Sequence, residues 1–323
     1  MRVAVLPLLM VLVPACAHGS DLREAIARSA ALSDGRIAVT VQDLSTRARA
    51  SINGDVKMPM MSVFKLALAV VALDTVDHGQ LRLDQAIPIA ESELEPDQPI
   101  AVAWKNGDHA PPLETVLQRM IQDSDNTAAD KMVMLLGGAA TVTARLRALG
   151  VAGIDVIEPE VEIGARLSCP GVSAPAGGWT HAAVAECSEP PEAQAAAAAM
   201  RELETSRNDA TSDALVDLLA RLDGGVMLSA PSRRWLLTTL SGTTTGPRRI
   251  KGMLPVGAVV GHKTGTARAG GVSIATNDVG IVTAPDGRRF AIAVLVAGSR
   301  AELSVQEDLI ACIARDAWNA LIR

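Results

Sequence analysis

At 323 residues with a formal net charge of −6, the chain is long enough for one large domain or two small ones and buries about 75% of its unfolded surface. The acidic balance, with no Lys/Arg block, argues against a nucleic-acid partner, which a basic face would announce. With four Trp, two Phe and no Tyr, the core must be largely aliphatic, and mechanisms that need a phenol are excluded.

Residues 1–17 read as an export signal: Met1-Arg2, an apolar run over 3–13, then the small-x-small site Ala15-Cys16-Ala17. The run is too short to span a bilayer. A secreted or periplasmic protein is expected, with a lipoprotein anchored at Cys16 as the other reading. Residues 21–31 predict a helix with Ser20 as its N-cap, followed by strands at 36–42 and 47–52. Residues 62–77 are apolar on nearly every face, the pattern of a helix buried inside a domain. Helical patterns follow at 113–122, 126–136 and 139–149, separated by Gly137-Gly138 and closed by Gly150.

The stretch 165–207 differs in texture: it contains Pro170, Pro175, Gly177, Gly178, Pro190 and Pro191, and then an Ala run. In an oxidising compartment Cys169 and Cys187, close in sequence around this Gly/Pro-rich segment, are expected to close a loop. Strands at 259–266, 273–283 and 289–296 and a helix at about 303–322 end the chain. The order predicts an α/β (α+β) fold: an antiparallel sheet built from N- and C-terminal segments with flanking helices, plus an all-helical lobe. One catalytic domain over 18–323 is expected, with an α/β lobe at about 18–56 and 246–323, a helical lobe at about 57–245, and 165–207 as an insertion. The five His (His18, His78, His109, His181, His262) are scattered and no Cys-x-x-Cys occurs, so neither a metal nor a cofactor is expected.

Three short motifs carry the chemistry. Ser62-Val63-Phe64-Lys65 sets a hydroxyl and an amine one turn apart at the start of a buried helix, where the amine activates the serine and the helix N–H groups suit an oxyanion. Lys65 would otherwise be a lone charge on an apolar helix, which is costly. Ser124-Asp125-Asn126 precedes a helix and also reads as an ordinary N-cap. Lys263-Thr264-Gly265-Thr266 ends a strand; Gly265 would let a substrate backbone lie alongside, while Lys263 and Thr264 hold a carboxylate.

In order and spacing these motifs resemble the signature set of the penicillin-recognising serine enzymes. Class C and class D members carry a tyrosine that this chain lacks. Glu158-Pro159-Glu160 stands where class A β-lactamases place their Ω-loop glutamate. Thr243-Thr244-Thr245-Gly246-Pro247, Leu254-Pro255-Val256-Gly257 and Ala275-Thr276-Asn277-Asp278 look most like the PER-type branch.

The resemblance implies a serine β-lactamase acting on a small-molecule β-lactam as an expected monomer. Ser62 is then the nucleophile, with the backbone N–H groups of Ser62 and Thr266 as oxyanion hole. Lys65, or Glu158 through a water, takes the serine proton, and Ser124 relays one to the leaving nitrogen. Asn126, Lys263, Thr264 and Gly265 bind substrate, Arg268 is an added contact, and Glu158 activates the deacylating water. Glu162 stands where the class usually has Asn, which puts deacylation in question. The alternative is a penicillin-binding D-Ala-D-Ala carboxypeptidase or transpeptidase, or a slowly deacylating homologue.

Overall fold

The computed structural model describes residues 21–206 and 208–322. The export segment and Cys16 lie outside them. Helix α1 (Leu22–Ala30) is capped by Asp21, whose carboxylate accepts the N–H groups of Arg23 and Glu24, and an acid suits the positive helix end; Ser20, the expected cap, lies outside the described residues. The hairpin β1 (Arg36–Asp43) and β2 (Arg49–Ile52) follows, then the short β3 (Lys57–Pro59) and a 3-10 turn at Met61–Val63 that opens directly into α2 (Phe64–Asp77).

Helices α3 (Pro99–Lys105), α4 (Leu113–Gln122), α5 (Asn126–Leu135) and α6 (Ala139–Ala148) surround α2. After β4 (Ile154–Asp155) come α7 (Glu160–Ser168), α8 (His181–Ala185), α9 (Glu192–Thr205) and β5 (Asp209–Thr211). Helices α10 (Ser212–Asp223) and α11 (Ala230–Ser241) lead back to β6 (Val259–Ala269), β7 (Val272–Thr283), β8 (Arg289–Ala297) and α12 (Leu303–Leu321).

The main sheet has the order β2-β1-β8-β7-β6, antiparallel throughout, so strands from both ends of the chain meet in it. Both faces are covered. Along β8, Phe290, Ile292, Val294 and Val296 pack with Ile26, Ile310 and Ile313 of α1 and α12. Ala291, Ala293 and Leu295 turn to the opposite face, into the core shared with α2. Helix α2 is buried from Phe64 through Asp74, and burying each of its larger apolar side chains is worth about 1.5–3 kcal/mol.

The second lobe is helical as expected, with an addition: β3, β5 and β4 form a three-stranded antiparallel sheet. Strands of two or three residues are too short to show an alternating pattern. The Pro/Gly-rich segment is also more regular than its composition suggests. The Cys169–Cys187 disulfide, with Cα atoms 5.6 Å apart, ties the end of α7 to the end of α8. Helix α9 lies against the β6–β7 turn so closely that a Cβ at Gly270 would come 2.1 Å from the Ala196 nitrogen.

Candidate active site

A cleft of about 520 Å³ lies between the lobes, lined by Met61, Ser62, Asn126, Glu160, Thr266 and residues of α7 and α8. Ser62 sits within the 3-10 turn that starts α2, where first-turn N–H groups lack intrahelical partners. That turn is held from below by Asn277 of β7, whose side-chain amide donates to the Pro59 and Met60 carbonyls. Gly265 permits the contact between β6 and this turn: a Cβ there would lie 2.3 Å from the Met60 oxygen. The close approach expected of a substrate backbone at Gly265 is made instead by the protein's own chain. Met61 and Ser124 are both non-glycine residues at positive φ, +43° and +62°, strain that the surrounding packing must impose.

Lys65 is fully buried. Its ammonium lies 2.9 Å from Ser62 Oγ, 2.8 Å from the Ser124 carbonyl oxygen, 3.3 Å from Ser124 Oγ and 3.0 Å from Glu160 Oε1, and it also donates to Asn126 Oδ1. The Ser62 hydroxyl in turn donates to Glu160 Oε1 at 3.0 Å. Across the cleft, Lys263 donates to Ser124 Oγ at 3.0 Å and to the Thr264 carbonyl at 2.8 Å. Thr264 Oγ1 meets Thr245 Oγ1 at 2.6 Å, and Arg249 donates to Thr266 Oγ1 at 2.7 Å. Asp125 caps α5 through the Ala128 N–H and also accepts from the Ile100 N–H, so the middle of its motif is architectural.

Burial pushes the Lys263 ammonium well below the ordinary lysine range, reinforced by the nearby Lys65 charge. For Glu160, burial acts to raise the carboxyl, but attraction to Lys65 and hydrogen bonds from Lys65 and Ser62 outweigh it and hold the acid below its usual value. Glu95, which accepts from Asn126 at the cleft edge, is raised by burial.

Two expected site residues lie elsewhere. Glu158 does not face Ser62: its carboxylate is bound in two-pronged fashion by Arg166, which also holds Glu202 of α9. Its backbone is gripped by Asn208, whose side-chain oxygen accepts the Ile157 and Glu158 N–H groups while its nitrogen donates to the Glu158 carbonyl. Glu160, two residues on, occupies the place assigned to Glu158. Arg268 spends its guanidinium on the Ala301 and Gly271 carbonyls, outside the cleft. Glu162 does not line the cleft either; the residue four after Glu160 that does is Gly164.

Asp130 and His181 belong to the site although no motif marks them. Asp130 accepts the N–H groups of Glu160 at 2.6 Å and Val161 at 2.9 Å, capping α7 from α5. The positional hint was Asp130 lying one turn beyond Asn126 on the same helix.

A profile of the beta-lactamase enzyme family matches residues 21–321. The chain is 31% identical to the extended-spectrum beta-lactamase PER-1 of Pseudomonas aeruginosa over 270 residues, 83% of this chain and 76% of that protein. It is 30% identical to the beta-lactamase VEB-1 of the same organism over 292 residues, 88% of this chain and 85% of that protein. Among solved structures it is similar to a beta-lactamase from Chitinophaga pinensis (TM-score 0.76, 33% identity, covering 93% of this chain and 98% of that one). It is likewise similar to the TLA-3 extended-spectrum beta-lactamase (TM-score 0.78, 30% identity, covering 94% and 100%).

Proposed function

The chain belongs to the beta-lactamase enzyme family, and from that premise we propose that it hydrolyses β-lactams through an acyl-enzyme on Ser62, with Glu160 as the base in deacylation. One observation carries the reading: the Ser62 hydroxyl lies between a donor, Lys65, and an acceptor, Glu160, 2.9 Å and 3.0 Å away.

In acylation, Ser62 Oγ bonds to the lactam carbonyl carbon and its proton passes to Lys65 as Lys65 gives one of its own to Ser124, so that Glu160 stays ionised. The negative oxygen that forms is met by N–H groups of Ser62 and Thr266. The ring C–N bond then breaks. The nitrogen takes a proton from Ser124, whose hydroxyl is refilled from Lys65, itself reprotonated by Ser62. Once Ser62 is an ester it has no proton to donate, so Glu160 is released to accept one from water. Water adds to the ester carbon, the C–O bond to Ser62 breaks, and Ser62 regains its proton. Asn126, Lys263 and Thr264 hold the substrate amide and carboxylate. Export through residues 1–17 belongs to the same proposal; no helix among the described residues is long and apolar enough to cross a membrane.

The test mixes purified protein with a chromogenic cephalosporin and follows absorbance and intact mass together. Steady turnover with a transient adduct is expected, and Ser62→Ala should form no adduct. A permanent adduct at one equivalent on the wild-type chain would favour the penicillin-binding carboxypeptidase or transpeptidase reading.

A further inference from the structure

Helix α8 comes from the Pro/Gly-rich segment and starts with His181, which is buried and lines the catalytic cleft. Its Nε2 lies 2.9 Å from Asp130 Oδ2, and its Nδ1 lies 3.6 Å from Glu95 Oε2. The ring N–H at Nε2 is not aligned for a straight hydrogen bond, so attraction between opposite charges dominates this contact. The same Asp130 carboxylate holds the first two N–H groups of α7: Oδ1 accepts from Glu160, and Oδ2, the oxygen facing His181, accepts from Val161. The disulfide fastens the far ends of α7 and α8 to each other. The two helices therefore form a closed unit: bridged by sulfur at their C-terminal ends and joined through one carboxylate at their N-terminal ends.

We propose that His181 is a positioning residue for deacylation, holding Asp130 in place and through it the backbone of Glu160. The inference rests on Glu160 being the water-activating base. Without His181, Asp130 and Glu95 would share a buried corner with Glu160 and no cation from α8. Repulsion among three carboxylates would then favour swinging Asp130 away from the α7 N-terminus. Burial acts against protonation of His181, but Asp130, Glu95 and Glu160 together raise its pKa above the ordinary imidazole value, consistent with a ring that works as a cation. Acylation depends less on this corner, because Lys65, Ser124 and Lys263 are anchored on other elements.

The experiment compares full-length wild type, His181→Ala, His181→Gln and Glu160→Gln with a chromogenic cephalosporin, measuring acylation from the absorbance burst and deacylation from the decay of the intact-mass adduct. His181→Ala should acylate like wild type but deacylate about tenfold to a hundredfold more slowly, the scale set by misplacing a catalytic group by about 1 Å. His181→Gln, which keeps an N–H donor but carries no charge, should stay nearly as slow as His181→Ala, and a return to the wild-type rate would overturn the role of the cation. Deacylation of His181→Ala at the wild-type rate, or equal loss of both steps, would overturn the inference. The Glu160→Gln arm separates the two ideas: if it traps the adduct while His181→Ala does not, only the role of His181 fails, and if it clears the adduct normally, the Glu160 reading fails.

Discussion

Lys263 holds its proton loosely, because it is buried beside Lys65, yet it is the group assigned to the substrate carboxylate. On raising the pH it should therefore lose its charge below the ordinary lysine value of 10.5, and kcat/KM, which reports the free enzyme, should fall on that alkaline limb. Lys263→Arg keeps a charge that does not titrate in the accessible range. Its alkaline limb in a pH profile of kcat/KM should move upward; an unchanged limb would remove Lys263 from carboxylate binding. On the acid side Glu160 is held below 4.5, so it stays ionised, and competent as a base, to a lower pH than an unperturbed glutamate. At this scale the meeting of Ser62, Lys65, Ser124 and Lys263 was legible, since each belongs to a motif whose chemistry explains its spacing. The choice between Glu158 and Glu160 was not. Both flank Pro159, and what separates them is Arg166 and Glu202, partners contributed through the segment whose course the sequence leaves open.

Among the elements, the strands and helices that enclose the core were readable from their continuous apolar runs, because α2 is apolar all round and β7 and β8 are buried on both faces. Helix α9 was visible only as an Ala-rich run. Its purpose becomes clear from packing: small side chains let it approach the β6–β7 turn, where Gly270 adopts φ +51° and leaves no space for a Cβ. Gly270→Ala should push α9 outward and lower stability by about 1–3 kcal/mol, the usual cost of overpacking, measurable as a reduced denaturation midpoint. An unchanged midpoint would mean that α9 is not seated on this turn. Arg268, assigned to the substrate because it follows Lys-Thr-Gly, instead braces the same end of β6 against Ala301. A sequence motif gives a residue's neighbourhood along the strand but not the direction of a flexible side chain beyond it.

For the whole molecule, the cleft is a junction of three covalently distant parts: the start of α2, the α4–α5 turn and the edge strand β6. Segment 160–187 closes its fourth side, with α7 bringing Glu160 and α8 bringing His181. That fourth side is what departs most from the pattern the motifs suggest, and whether it supports hydrolysis or only acylation is the central question. Comparing how Glu160→Gln and Glu158→Gln release a cephaloyl adduct, by intact mass after removal of free drug, answers it most directly. Glu160→Gln should acylate and then hold the adduct. Glu158→Gln should clear it near the wild-type rate while losing about 1–3 kcal/mol of stability from its broken contacts with Arg166. An adduct that persists in Glu158→Gln and clears in Glu160→Gln would contradict the account.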